Sequence, residues 1–327
     1  MTKNVVVTGG AGYIGSVLVP QLLSQGHRVT VIDAMHFGCN LQPHKNLSVL
    51  DMDIFNTDEG DFRGHDSVIH LSGLSNDPMA AFNPGDNFVQ NLSGASYIAW
   101  LARRSGVEKF IFAGSCSVYG MNNHITFSES DDPVSDFPYA VSKRQAEQSL
   151  LQLARHDFEV CVLRKATVFG YAPRMRTDLV VNAMTKNAIV DGTIYMNDSS
   201  LSRPLIYIGD LCDIYCKLLQ VHKPLPEIIN VANENYTVLE IANQVKHALL
   251  DKIPNLTIVD KKLKDLRSYR VNTELLESTI GQRQTTTIKQ AVDELVDRIP
   301  MDDLTTWTDP NWINVEMYKK RLHNDRK

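Results

Sequence analysis

One short stretch constrains the fold more than any other. The run Val5-Val6-Val7 leads into Thr8-Gly9-Gly10-Ala11-Gly12-Tyr13-Ile14-Gly15, after which Val17, Leu18 and Leu22 recur at helical spacing. A strand, a glycine turn and a helix start therefore follow one another directly. Glycines there permit a tight turn and close backbone approach to an anion, and the helix start offers free N–H groups at its positive dipole end. Gly10 to Gly15 fits G-x-G-x-x-G, a weak signal alone, but the strand–turn–helix context is what a dinucleotide pyrophosphate requires. A second apolar run, Arg28–Asp33, ends on a carboxylate. A carboxylate at that strand end accepts hydrogen bonds from both hydroxyls of an adenosine ribose and repels a 2′-phosphate, which favours NAD over NADP.

The rest of the first half repeats the alternation. Leu47–Met52, Ser67–Leu71, Lys109–Ala113 and Val160–Leu163 read as strands, and Asn87–Ser105 and Tyr139–Arg155 as helices. Apolar runs bounded by turn residues and separated by helices predict a doubly wound parallel sheet. Beyond Gly170 proline and glycine are denser. Leu179–Val190, Asp210–Val221, Val238–Leu250 and Ile288–Val296 read as helices, and Thr193–Met196, Leu205–Ile208, Ile228–Val231 and Leu256–Val259 as strands. The polar end from Trp307 to Lys327 is expected to fray, with Trp307 and Trp312 as anchors.

Composition narrows the function. The 327 residues are 43% hydrophobic and 22% charged, with a formal net charge of −5. That balance excludes a chain that is mainly disordered and speaks against a general nucleic-acid or acidic-membrane binder, which needs a basic excess. No apolar run is long enough to span a bilayer or to serve as a signal peptide, so the cytoplasm is the expected location. Cys39, Cys116, Cys161, Cys212 and Cys216 include no C-x-x-C pair, and the histidines form no i, i+4 pair or H-E-x-x-H. No disulfide framework and no metal are expected.

Tyr139 and Lys143 stand four residues apart at the start of a predicted helix, on one face. A free phenol is a poor base at neutral pH, but an adjacent ammonium and the positive charge of an oxidised nicotinamide favour its phenolate. Such a tyrosine can take the proton of a hydroxyl whose carbon loses a hydride. Ser115, at the end of a predicted strand, would then donate a hydrogen bond to the reacting oxygen.

These features in this order resemble the extended short-chain dehydrogenase/reductase family, in particular its NAD-dependent sugar-nucleotide epimerases and dehydratases. Thr8-Gly9-x-x-Gly12-x-x-Gly15 matches the family's glycine loop, Asp51-Met52-Asp53-Ile54 its adenine-contacting segment, His70-Leu71-Ser72-Gly73 the stretch beneath the cofactor, and Asn91-Leu92-Ser93-Gly94 the N-x-x-G-T motif. The resemblance implies a Rossmann-type doubly wound α/β sheet with a smaller C-terminal α/β substrate domain. The cofactor domain would occupy 1–169, with 204–231 returning to it, and the substrate domain 170–327. It implies that Gly9, Gly12, Tyr13, Ile14, Gly15, Asp33, Asp53, Ile54, Leu71, Ser72, Gly73, Asn91, Tyr139 and Lys143 hold NAD, and that Ser115, Tyr139 and Lys143 form the catalytic triad. Family helices equivalent to Asn87–Ser105 and Tyr139–Arg155 often build a homodimeric four-helix bundle. Ala95, Ile98, Ala99 and Ala102 would supply its apolar stripe, burial inside one subunit being the competing reading.

The positions after Ser115 discriminate among reactions. Family 4,6-dehydratases carry Asp-Glu there; this chain has Cys116-Ser117. Cys116 is one position away from the cysteine acid/base of 3,5-epimerising relatives, and a small packing residue is the competing reading for it. What remains suits reversible oxidation at C4 of a nucleotide-diphosphate sugar, a 4-epimerase. A 4-dehydrogenase, a 4-keto reductase or an atypical dehydratase would use the same residues, and a non-catalytic NAD-sensing protein is the rival from another class. For the substrate, Leu163-Arg164-Lys165-Ala166-Thr167-Val168-Phe169-Gly170 has Thr167 where the family has Asn. Arg174, Arg176, Arg203 and Arg267 are candidates for the diphosphate, since guanidinium groups bind phosphate in a bidentate manner. Ser117 and Asn182 are further substrate candidates, and Leu74–Pro78 a cap over the sugar.

Overall fold

The computed structural model describes residues 2–263 and 268–324. Five strands of the first half, β1 (Asn4–Thr8), β2 (Arg28–Asp33), β3 (Leu47–Asp51), β4 (Ser67–His70) and β5 (Lys109–Ser115), join Glu159–Lys165 and Ile228–Val231 in one sheet. Its order is Ile228–Val231, Glu159–Lys165, β5, β4, β1, β2, β3, and every pairing is parallel. The order reverses between β1 and β4, so the strands' C-terminal ends diverge there and open a crevice. Side-chain alternation explains the burial. Val5, Val7, Val31, Ile69 and Ile111 face one core with Leu18 and Leu22 of helix α1 (Gly15–Ser24). Val6, Ile32, Val68, Phe110 and Phe112 face the other, with Ile98, Ala102, Ala146 and Leu150.

Helix Gly94–Arg104 puts Ala95, Ile98, Ala99 and Ala102 at 0% exposure within this single chain. The apolar stripe expected at a dimer interface is therefore the helix's contact with its own sheet. The single helix expected over Asn87–Ser105 is instead Pro84–Phe88, a π-helical turn Val89–Ser93, and Gly94–Arg104. It starts earlier because Pro84 fits a first helical position and the Asn83 side chain accepts from the Asp86 N–H.

Beyond the main sheet, Ser202–Tyr207 lies between Thr167–Phe169 and Glu234–Thr237, and Thr193–Met196 pairs with Thr257–Asp260. Met121–Phe127, absent from the sequence reading, pairs with Ser268–Val271. Of the segment read as returning to the first domain, Ile228–Val231 enters the main sheet whereas Ser202–Tyr207 does not. As far as Asn324 the stretch expected to fray is helical: Trp307 is fully buried, its indole N–H donating to the Pro300 carbonyl at 3.0 Å, and a helix follows over Asn314–Asn324; residues 325–327 lie outside the described residues. No helix among the described residues is long and apolar enough to cross a membrane.

Candidate active site

A cavity of about 610 Å³ runs along the crevice. One end is the glycine loop. Gly9 has φ +70°, and a Cβ there would lie 2.7 Å from the Ser72 nitrogen, so only glycine lets the β1 loop meet the β4 loop this closely. Helix α1 begins with no capping side chain; the Ser16 N–H already donates to the Gly12 carbonyl at 2.9 Å and those of Val17 and Leu18 to the Ile14 carbonyl, so the positive end of the helix meets the cavity at Gly12–Gly15. Asp33 closes β2, and its carboxylate accepts from the N–H groups of Ala11 (3.0 Å) and Met35 (2.9 Å). Burial raises its pKa, against those two hydrogen bonds. Gly12, Tyr13, Ile14, Gly15, Asp53, Ile54, Leu71, Ser72 and Gly73 border the same cavity.

The other end holds Ser115, Ser117, Tyr139 and Lys143. β5 delivers Ser115, whose Oγ accepts the Ser117 N–H at 3.2 Å and lies 2.9 Å from the Ser117 Oγ. Helix Pro138–Leu153 presents Tyr139 and Lys143 on one face. The Lys143 ammonium donates to the Ala113 carbonyl at 3.1 Å and sits 4.7 Å from the centre of the Phe112 ring. Burial pulls the Lys143 pKa down to about 7, with Lys165 adding repulsion and Glu147 opposing. Burial, seconded by Asp77, pushes the Tyr139 pKa up, against a hydrogen bond with Ser115 and the pull of Arg176. What lowers it is the Ser115 hydrogen bond and the Arg176 charge rather than the neighbouring lysine the sequence pointed to, and burial outweighs both.

Three predicted contacts lie elsewhere. Cys116 is fully buried off the cavity, its thiol donating to the Arg164 carbonyl at 2.8 Å and its pKa pushed up to about 12 by burial. It therefore packs the core, because a short turn after Ser115 sends alternate side chains to opposite sides. Asn91 lies beneath the Gly73 loop and donates to the Leu74 carbonyl at 3.0 Å. Its Oδ1 fills the place a Cβ on Gly73 would take. Asn182 holds the lobes together, accepting the Gly170 N–H at 3.0 Å and donating to the Arg176 carbonyl at 2.8 Å and the Tyr13 hydroxyl at 3.2 Å.

The arginines separate. Arg176 is committed to Asp178 through two bonds of 2.9 Å each, a fork that keeps the Asp178 pKa low despite its burial. Arg174 lies towards the glycine-loop end. Its guanidinium stacks 4.0 Å from the centre of the Phe37 ring and donates through Nη1 to the Met175 carbonyl at 3.4 Å, its backbone N–H donates to the Ser16 Oγ at 3.3 Å, and its Nη2 is buried without a hydrogen-bond partner. Arg203 and Thr167 border the cavity. Arg267 lies outside the described residues. The sequence reading missed Lys165, Phe37 and Asp178, all of which line the cavity. Among the described residues no group of histidine, cysteine and carboxylate side chains is arranged to hold a metal.

Comparison with known proteins adds a lineage. Residues 5–232 match the sequence profile described as NAD dependent epimerase/dehydratase family. A protein of Methanocaldococcus jannaschii named putative UDP-glucose 4-epimerase is 26% identical over 308 residues, 89% of this chain and 97% of that one. A UDP-glucose 4-epimerase of Neisseria meningitidis is 32% identical over 171 residues, 47% of this chain and 49% of that relative's length. Among solved structures, an NAD dependent NDP-hexosamine 5,6-dehydratase involved in tunicamycin biosynthesis superposes with a TM-score of 0.81 at 25% identity, covering 92% of this chain and all of that one.

Proposed function

The chain belongs to the NAD dependent epimerase/dehydratase family of enzymes, and from that premise we propose that it is a nucleotide-sugar 4-epimerase, inverting C4 through a transient 4-keto sugar. One observation carries the reading. The glycine loop and Asp33 share a cavity with Ser115, Tyr139 and Lys143, and Cys116-Ser117 supplies neither of the carboxylates a 4,6-dehydratase needs.

The residues fit NAD. The uncapped α1 start and Gly12 suit the pyrophosphate, Asp33 the adenosine ribose, and the unpartnered Arg174 Nη2 an anion at that end. When bound, oxidised NAD would supply a hydride acceptor and a positive charge. Tyr139 removes the C4 hydroxyl proton, Ser115 donates a hydrogen bond to the C4 oxygen, and Lys143 favours the Tyr139 phenolate. Arg203 is the proposed diphosphate ligand, Ser117 and Thr167 face the sugar, and residues 170–327 supply most of the substrate side. A homodimer and a cytoplasmic location complete the reading; exposed Val89 and Trp100 on the Pro84–Arg104 helices offer a surface for a partner subunit.

Tyr139→Phe should lower kcat by about 10²–10⁴ while NAD and sugar-nucleotide affinities stay within a few-fold. A screen of UDP-, GDP-, CDP- and dTDP-sugars, read by product identity and NADH absorbance, supplies the substrate for that assay. Full activity in the variant overturns the mechanism. The likeness to a 5,6-dehydratase favours dehydration as the second reading. Exchange of the sugar's C5 hydrogen with solvent would select it.

A further inference from the structure

Lys165 is the cation this mechanism does not use. It ends the strand Glu159–Lys165 and is the register partner of Ser115 on β5. Register partners on parallel strands point to the same side of the sheet, so Lys165 projects with Ser115 into the cavity, which both line. Arg164, one residue earlier, points to the opposite face and is satisfied there by Glu147, Nη2 to Oε2, at 3.0 Å. Among the described residues the Lys165 ammonium makes no hydrogen bond and no ion pair.

Its surroundings do not neutralise it. Lys143 and Arg176 are the neighbouring cations, and burial with the Arg176 charge pulls the Lys165 pKa down to about 8. Of the carboxylates nearby, Asp178 is forked to Arg176, Glu147 is paired behind the sheet, and Asp77 acts on Tyr139. Holding a shielded ammonium among like charges costs free energy unless an anion arrives with the ligand. That anion is not the nucleotide's diphosphate. The diphosphate is attached at C1, whereas Ser115 and Tyr139 define where C4 reacts. On that reading a side chain level with Ser115 on the next strand stands beside C4, one ring carbon from the C5 that bears the exocyclic group.

We propose that Lys165 determines substrate specificity by pairing with a carboxylate on the pyranose ring, and that the substrate is a nucleotide-linked hexuronic acid rather than a neutral hexose. The identification of the site as a nucleotide-sugar pocket rests on the reading above; the acidic substituent is new.

The test uses NAD-loaded protein and two probes, UDP-glucuronic acid and UDP-glucose, which share a nucleotide so that base preference cancels. Dissociation constants are measured in the Tyr139→Phe background, where chemistry is off, with Lys165 intact, Lys165→Met, Lys165→Gln and Lys165→Arg. The uronate should bind at least about tenfold more tightly than the neutral sugar. Methionine and glutamine should bring the two within about twofold, arginine should retain the preference, and affinity for UDP alone should not move. Equal binding of both sugars to the Lys165 protein, or equal weakening of both in the variants, overturns the proposal. Turnover with Tyr139 intact is scored separately. A uronate preference without turnover of either sugar sinks the epimerase reading and leaves this one standing; turnover of UDP-glucose without any preference does the reverse.

Discussion

Burial moves Tyr139 and Lys143, one turn apart on helix Pro138–Leu153, in opposite directions, Tyr139 upward and Lys143 down to about 7. Both shifts favour the neutral form. The unfolded chain keeps Lys143 near its ordinary 10.5, so between about pH 7 and 10.5 it binds more protons than the folded one. The destabilisation from burying this ammonium is complete below pH 7 and fades as pH rises towards 10. Lys143→Met should therefore raise the Tm of the cofactor-free protein by several degrees at pH 6, with the gain shrinking to nothing near pH 10, while activity is lost. A Tm difference between variant and parent that is the same at both pH values would show that Lys143 is not strained. At this scale the pair was legible because two residues one helical turn apart share a face whatever the tertiary fold. Arg174, Arg176 and Asn182 were not legible. Their roles depend on how the loop after Gly170 packs against the first lobe, and spacing does not encode that. Lys165 left a readable trace, a charge at the end of an apolar strand, but only the pairing with β5 shows which wall it joins.

Tyr139 and Lys143 hold their positions because their helix is bolted to the sheet. Glu147, on that helix, pairs with Arg164 on the strand Glu159–Lys165, and both side chains are almost wholly buried, at 0% and 1% exposure. Arg164 Nη1 also donates to the Tyr119 hydroxyl at 2.8 Å, which donates in turn to Asn230 Oδ1 at 2.8 Å. Removing one partner leaves a buried charge, and Glu147→Ala should destabilise the protein by about 3–5 kcal/mol. A Glu147→Met, Arg164→Met double variant should recover most of that, as read by a double-mutant cycle in urea. Additive losses would mean the pair is not a unit. The main strands and helix α1 were legible because buried parallel strands are continuous apolar runs between turns. The π-helical turn at Val89–Ser93 was not. Its residues keep a helical polarity pattern, and the wider turn is a matter of backbone hydrogen bonding under the Gly73 loop.

For the molecule as a whole, the sequence conveyed a sheet with its crevice but not what closes it. The C-terminal stretch is polar enough to read as frayed, yet helix Asn314–Asn324 crosses back onto the first lobe. Asn314 Nδ2 donates to the Ser75 Oγ at 2.7 Å, Tyr318 packs with Leu74 and Met79, and its hydroxyl donates to Asp86 and accepts from Asn83. Asn314, Met317 and Tyr318 line the cavity beside Ser75, Asn76 and Asp77, and Tyr318 shares its apolar cluster with Phe37. The helix's hydrogen bonds run to Ser75, Asn83 and Asp86, so its loss is expected to fall on the proposed sugar side more than on the glycine loop and Asp33. A chain ending at residue 312 should bind NAD within about threefold of the full chain, since the glycine loop and Asp33 keep their partners. The same truncation should weaken sugar-nucleotide binding at least about tenfold, because an opened pocket hydrates the polar contacts it formerly enclosed. Titrating each ligand separately decides the point. A parallel loss of both affinities would make the helix a general support of the fold. A selective loss of the sugar nucleotide would make it the wall that water must not pass while the 4-keto sugar exists.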